Sequence, residues 1–354
     1  MDKVIIFSHE SDIDGLGCII LGNLAFKNFE YVLLPNVEKL ELKFREMIVS
    51  GDLNQYDMIY ITDLALYEPS LSLVENSELK DKVKVFDHHK MAIDNGVDKY
   101  SFTTIIEEDE DGKKCGTQLF YDYLVRTNLI KKNRAIDTFV ELTRLEDTWE
   151  WKTDENNGTM AHDLAILFNA IGAEKYLNII VTNILANENK FEIDDNSYNV
   201  IKRKKEDYEK LLLAIIKQIE YFYDESNNKY GAVFADYEFR NEIAEYVRKN
   251  LKSELIKYLI IVAMNKGENG QKSYRQIEDN FDVNNIAMNH GGGGHPGAAS
   301  FNITEVQKEK VKTLSKKEAL KYICESSFGN WKFIKFTYVF RYKLDTSYIF
   351  IKSL

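Results

Sequence analysis

The sequence predicts an α/β protein: an N-terminal, mostly parallel sheet flanked by helices, a helical connector, and a smaller C-terminal α/β domain. Two observations carry this. Short apolar runs alternate with helical periodicity through the first half, which implies βαβ units and a sheet covered on both faces. A long helical pattern then gives way to a second alternation of strand-like and helical segments. With 354 residues the chain exceeds one ordinary core and suits two domains.

Taken in order, residues 3–8 (KVIIFS) read as a buried strand and 16–28 as a helix. Residues 31–34 form a second strand, 38–50 a helix, 57–62 (DMIYIT) a third strand and 82–86 (KVKVF) a fourth. In such sheets ligands gather at the carboxyl ends of the strands. Residues 197–223 read as one long helix with a charged start and an apolar later half. Its basic run, KRKK at 202–205, is followed at once by acidic residues and reads as a solvated helix face. Next come a strand around 231–239, a helix over 241–249 and a strand within 255–265. The tail after about residue 315 reads as a helix and two aromatic-rich strands, FIKFTYVFRYKL and SYIFIKS. The expected division is 1–190, a connector over 191–225, a second domain over 226–315, and an extension over 316–354.

Hydrophobic residues at 44% and charged residues at 29% are the balance of a globular protein rather than a disordered chain. No apolar run reaches the roughly 18 residues that span a bilayer, so no membrane role is expected. The N-terminal run lacks the basic region and cleavage site of a signal peptide. Three scattered cysteines form neither a disulfide framework nor a CxxC zinc site, and a cytoplasmic location follows. A net charge of −11 argues against coating long duplex nucleic acid. A short phosphorylated substrate stays open, since local cations can offset the global charge. The chain is expected as a monomer or homodimer.

Chemistry concentrates at the strand ends. Of six histidines, His9, His88 and His89 follow apolar strand runs, and His290 and His295 flank four glycines. After the first strand come His9, Asp12, Asp14 and Gly15; two aspartates at this spacing can point at two adjacent cations, and Gly15 lets the chain turn into a helix. Asp63 stands at the tip of the third strand, placed to bridge, and Asp87, His88 and His89 end the fourth. Asp147 adds an acid beside Trp149. Each piece alone has an ordinary reading, such as a helix cap for Asp63. Together they cluster like charges, which costs several kcal/mol unless cations neutralise them. Carboxylate and imidazole without thiolate suit Mn²⁺ first, then Fe²⁺, Co²⁺ or Mg²⁺.

These motifs resemble the DHH phosphoesterase superfamily, through the triplet Asp87–His88–His89. The stretch SYRQIEDNFDVNNIAMNHGGGGHPGAAS, residues 273–300, is similar to the DHH-associated C-terminal domain of oligoribonucleases, RecJ-type exonucleases and cyclic-dinucleotide phosphodiesterases. The resemblance spans residues 4 to about 302. It implies two divalent cations, with His9, Asp12 and Asp63 as ligands of one. Asp14, Asp63, His88 and Asp147 would hold the other, with Asp63 bridging. It further implies that Asp87 orients an imidazole, that His89 meets the substrate phosphate, and that Arg275, His295 and the glycine loop including Gly292, Gly293 and Gly294 bind substrate. Only two residues separate His9 from Asp12, where the common family pattern has three.

The activity so implied is Mn²⁺-dependent hydrolysis of short oligoribonucleotides to mononucleotides, with His89 and Asp87 in the catalytic set. The neighbouring reading is cleavage of linear or cyclic dinucleotides such as pApA or cyclic di-AMP, or removal of the 3′-phosphate of pAp. The reading from a different class is a nucleotide sensor without chemistry, which the full ligand set opposes.

Overall fold

The computed structural model describes residues 3–251, 254–264, 270–289 and 292–325. The chain divides into two compact units, Met1–Lys205 and Glu206–Leu354.

The first unit runs β1 (Val4–His9), α1 (Ile13–Ala25), β2 (Phe29–Leu34), α2 (Val37–Ser50), β3 (Met58–Thr62), α3 (Glu68–Glu75), β4 (Val83–Asp87), α4 (Lys90–Asp94) and β5 (Thr103–Ile105). A two-stranded ribbon follows, β6 (Glu108–Asp109) and β7 (Gly112–Lys113), and then α5 (Gly116–Arg126), α6 (Arg134–Asp147), α7 (Gly158–Ile171) and α8 (Ala173–Ala186). The sheet is parallel throughout, in the order β2-β1-β3-β4-β5. The inner strands β1, β3 and β4 are buried almost throughout, as a covered parallel sheet requires, while the edge strand β2 exposes Glu30 and Tyr31. In β1, Val4 and Ile6 enter the core beneath α1 and α5–α8, while Ile5 and Phe7 enter the core beneath α2 and α3. The strand order reverses between β1 and β3, and that is where a crevice opens at the carboxyl ends.

Helix α9 (Asp195–Ile216) crosses the boundary between the units. The second unit continues with β8 (Glu220–Tyr223), β9 (Lys229–Phe234), α10 (Arg240–Asn250), β10 (Tyr258–Ala263), β11 (Gln271–Gln276), α11 (Val283–Met288), β12 (Gly293–His295), β13 (Ala298–Asn302), α12 (Glu305–Val311) and α13 (Lys316–Glu325). Its sheet runs β12-β13-β11-β10-β9-β8, with β9–β10 as the one parallel pair among the described strands.

Two expectations need correcting. The helix read over 197–223 ends at Ile216, and residues 220–223 (EYFY) are β8, paired antiparallel with β9. Aromatic side chains prefer the pleated surface, and the turn at Asp224–Asn228 closes a hairpin. The run read as a glycine loop is partly an edge strand, because Gly293–His295 pair with β13. The two aromatic tail strands, His290 and Gly291 lie outside the described residues.

Candidate metal centre

Three strand ends and one helix end bring the acidic and imidazole groups together. Thr62 Oγ1 donates to Ser8 Oγ at 2.9 Å, and Ser8 Oγ donates to Gly15 O at 2.7 Å, which ties β1, β3 and the α1 entry into one buried unit. Asp12 caps α1, accepting from Gly15 N at 3.0 Å. A Cβ on Gly15 would lie 2.2 Å from the His9 carbonyl oxygen, so only glycine fits this turn. Gly15→Ala is therefore expected to destabilise the protein by about 2–3 kcal/mol, as overpacking does. That is a drop in Tm of roughly 4–12 °C in a thermal melt for a unit of this size; an unchanged Tm would mean the turn is free to give.

His9 Nδ1 lies 2.7 Å from Asp12 Oδ2 and 3.7 Å from Asp63 Oδ2. The other Asp63 oxygen, Oδ1, is 3.3 Å from His88 Nε2, which is also 3.5 Å from Asp147 Oδ2 and 3.7 Å from Asp14 Oδ2. Asp63 thus presents one oxygen to each of two groups. Its backbone is left-handed, φ 54°, a conformation aspartate tolerates better than most residues. Asp14 is fully buried and fixed from a distance. Its Oδ2 accepts from Gly116 N at 2.7 Å and its Oδ1 from Thr117 N at 2.8 Å, both at the start of α5. Sequence reading missed this pair, because 102 residues separate Asp14 from Gly116 and no local pattern links them. Asp12 as a helix cap was also missed; an aspartate three residues ahead of a glycine before an apolar run was the available signal.

Asp87 stands just behind. Its Oδ1 accepts from His88 N at 2.9 Å and lies 2.7 Å from His89 Nδ1, which fixes the His89 ring. His162 stands apart, stacked on Trp151 with centroids 4.0 Å apart.

The electrostatics fit a cation site. Burial pushes the Asp63 carboxyl well above the carboxylate range, and the charges of Asp14 and Asp12 add to this. Burial and the charge of Asp14 push Asp147 up to about 8. Its hydrogen bond to Asp87 lifts His89 to about 9. The His88 Nε2 is buried with no hydrogen-bond partner, although it faces three carboxylates. An orphaned imidazole nitrogen among crowded acids is what a divalent cation would satisfy. Three groups have ligand atoms within 4.8 Å of one another among the described residues: His9, Asp12 and Asp63; Asp14, His88 and Asp147; and Asp63, Asp87, His88 and His89.

The expected substrate residues lie in the second unit. Arg275 on β11 pairs with Ala298, and Ala298 with His295, so Arg275 and His295 share one face of the sheet. Arg275 Nε donates to Asn241 Oδ1 at 3.1 Å and Nη1 to Tyr274 O at 2.9 Å. His295 is exposed. Gly292 and Gly294 are demanded by the fold itself, since a Cβ there would lie 2.2 Å from Ser300 O and 2.4 Å from Ala298 O. At Gly293 nothing lies within 4 Å of a Cβ, and that position alone leaves open space beside the strand.

Residues 227–324 match the DHHA1 domain family. The chain is 30% identical over 306 residues to oligoribonuclease NrnB of Bacillus subtilis (strain 168), covering 85% of this chain and 73% of that protein. Among solved structures it is similar to the pGpG-specific phosphodiesterase PggH of Vibrio cholerae, at 14% identity and a TM-score of 0.44, covering 91% of this chain and 99% of that one. It is also similar to RecJ of Thermus thermophilus in complex with Mg²⁺, at 12% identity and a TM-score of 0.43, covering 91% of this chain and 50% of that one.

Proposed function

Because the chain belongs to the DHH phosphoesterase family that includes oligoribonuclease NrnB, we propose that it hydrolyses short oligoribonucleotides to mononucleotides at a two-cation site, with Mn²⁺ as the metal. It is a metal-dependent phosphoesterase. The observation that carries the finer reading is Asp63, whose two oxygens face His9 and Asp12 on one side and His88 on the other.

His9, Asp12 and Asp63 would hold one cation, and Asp14, Asp63, His88 and Asp147 the other. When bound, the pair supplies an activated water and neutralises charge on the phosphoryl oxygens. The chain's own groups do the rest. Asp14 is held by the α5 backbone, so its carboxylate cannot swing away. Asp87 fixes the His89 ring by accepting its Nδ1–H. The hydrogen bond to Asp87 raises the His89 pKa in the metal-free chain, which favours the imidazolium, and that form would offer Nε2–H to a phosphoryl oxygen or to the leaving oxygen. Arg275 and His295 would grip the rest of the substrate, with Gly293 leaving room for close approach. Among the described residues no helix is long and apolar enough to cross a membrane. Free Cys18, Cys115 and Cys324 fit a reducing, cytoplasmic setting.

The test is product analysis with Mn²⁺ and 5′-labelled RNA of two to five nucleotides. Mononucleotide release is expected. Tight binding with no product would sink the enzyme reading in favour of a sensor. For the second unit, Arg275→Ala should raise KM about 10- to 100-fold, the loss of one charge-assisted phosphate contact, with a smaller change in kcat. A fall in kcat larger than the rise in KM would remove Arg275 from the anchoring role.

A further inference from the structure

Trp149 follows Asp147 by two residues and is unusual in two respects. It is 62% exposed, whereas the nearby Trp151 packs against the core that α6 and α7 share and stacks on His162. Its backbone is also left-handed, φ 64° and ψ 8°. Four of the other five described non-glycine residues with positive φ are aspartate or asparagine, which tolerate that region. A bulky indole is strained there, and at this exposure burial does little to offset the strain.

The turn that carries it is held on several sides. Trp149 N donates to Glu146 O at 3.2 Å, and Thr148 Oγ1 donates to Arg144 O at 2.8 Å. Arg144 Nη1 donates to Glu150 Oε2 at 2.6 Å and to Lys113 O at 3.4 Å, which ties the turn to β7. A Cβ on Gly158, the first residue of α7, would lie 2.0 Å from Trp151 O, so α7 closes on the turn from its far end. Strain that the surroundings enforce in this way gathers at functional sites. Lys152 Nζ lies 4.3 Å from the Trp149 ring centroid and orients the indole. A ring with a cation against it and more than half of its surface in water is open to a second partner.

The metal centre is close by. Asp147 Oδ2 is 3.5 Å from His88 Nε2. Two peptide units separate Asp147 from Trp149, so their Cα atoms lie within about 7.6 Å of each other. In a nucleotide only the ribose separates base from phosphate, so one nucleotide can reach both places. Every nucleobase has a flat π-face, so stacking on an indole accepts any sequence. We propose that Trp149 is a stacking platform for the nucleobase next to the scissile phosphate, a substrate-binding residue that holds the base without reading it. The inference rests on the phosphoesterase reading, which supplies the nucleotide.

The experiment pairs fluorescence with kinetics on the full-length protein. In chelator, where nothing is cleaved, an RNA dinucleotide should quench indole emission, and its abasic ribose-phosphate counterpart should not. The quench should vanish in Trp149→Phe, although Trp151 remains. With Mn²⁺, Trp149→Gly should lower kcat/KM for the dinucleotide about 5- to 150-fold, the loss of one stacked base. Most of that loss should appear in KM. For the abasic form the loss should stay below about 3-fold, since no base is there to stack. Trp149→Phe, which keeps a ring, should recover most of the activity. Glycine suits the left-handed backbone, so Trp149→Gly should melt no lower than the wild type. Activity falling while stability holds separates the platform from a structural role. Equal losses for the intact and abasic substrates overturn the proposal. So does an unquenched indole when calorimetry shows the dinucleotide bound. Quenching without hydrolysis would instead overturn the phosphoesterase reading and leave the platform standing.

Discussion

Asp63→Asn should lower kcat/KM by on the order of 10³–10⁵ and abolish divalent-cation binding while the protein becomes more stable in chelator. The first half follows from geometry. Each Asp63 oxygen faces a different ligand group, so one substitution would weaken both proposed cation sites at once. Losing several kcal/mol of transition-state stabilisation corresponds to that rate factor. The second half follows from burial. In the metal-free protein the Asp63 carboxyl is 2% exposed and surrounded by Asp14, Asp12 and Asp147, so its ionised form is disfavoured. Asparagine keeps the shape, tolerates the left-handed backbone at φ 54° and carries no charge. A residue that served only the fold would behave oppositely, losing stability along with activity. Calorimetric Mn²⁺ titration, a thermal melt in chelator and a kinetic assay together decide it. Retained activity, or a large loss of Tm in chelator, would refute the bridging assignment.

The division between what the sequence disclosed and what it hid has a physical basis. His9, Asp63 and the Asp87–His89 triplet were legible because each follows an apolar run that could only be a buried strand. Parallel strands all end on the same edge, so local reading was enough to gather them. Asp147 was found as an acid near an aromatic; that it ends α6 and comes within 3.5 Å of His88 is a tertiary fact. The anchoring of Asp14 by Gly116 and Thr117 is of the same kind. The end of α9 was missed for another reason. An apolar run such as LLLAIIKQIEYFY satisfies helix and strand patterns alike, and only the turn residues at Asp224–Asn228 show that a hairpin follows.

Stability of the metal-free protein should fall as pH rises from about 5 to about 8.5, and saturating Mn²⁺ should remove most of that fall. Asp147 is pushed up to about 8 by burial and by Asp14, and Asp63 is pushed up too. An unfolded aspartate titrates near 3.9. Between those values the native state holds more protons than the unfolded state, so stability declines with rising pH. The histidines act in the same direction. His9 is raised by its hydrogen bond to Asp12, and His89 is raised to about 9 by Asp87. The stability they contribute is complete below about 6.5 and lost as pH climbs through their folded values. Asp12 opposes this only at low pH. Burial works against it, but its hydrogen bonds to His9 and Gly15 hold it below the usual aspartate value, outside this window. A divalent cation competes with the same protons, so its affinity should rise over the same interval. At a free concentration 100 times Kd it contributes about 2.7 kcal/mol, a rise in Tm of roughly 5–11 °C for a unit of this size. Thermal melts at pH 5.5, 7 and 8.5, each with chelator and with Mn²⁺, read all of this. A Tm in chelator that is flat or rising across the series would show that the four carboxylates are not crowded as the geometry requires. A Mn²⁺ increment that shrinks with pH would show that the cation does not displace their protons.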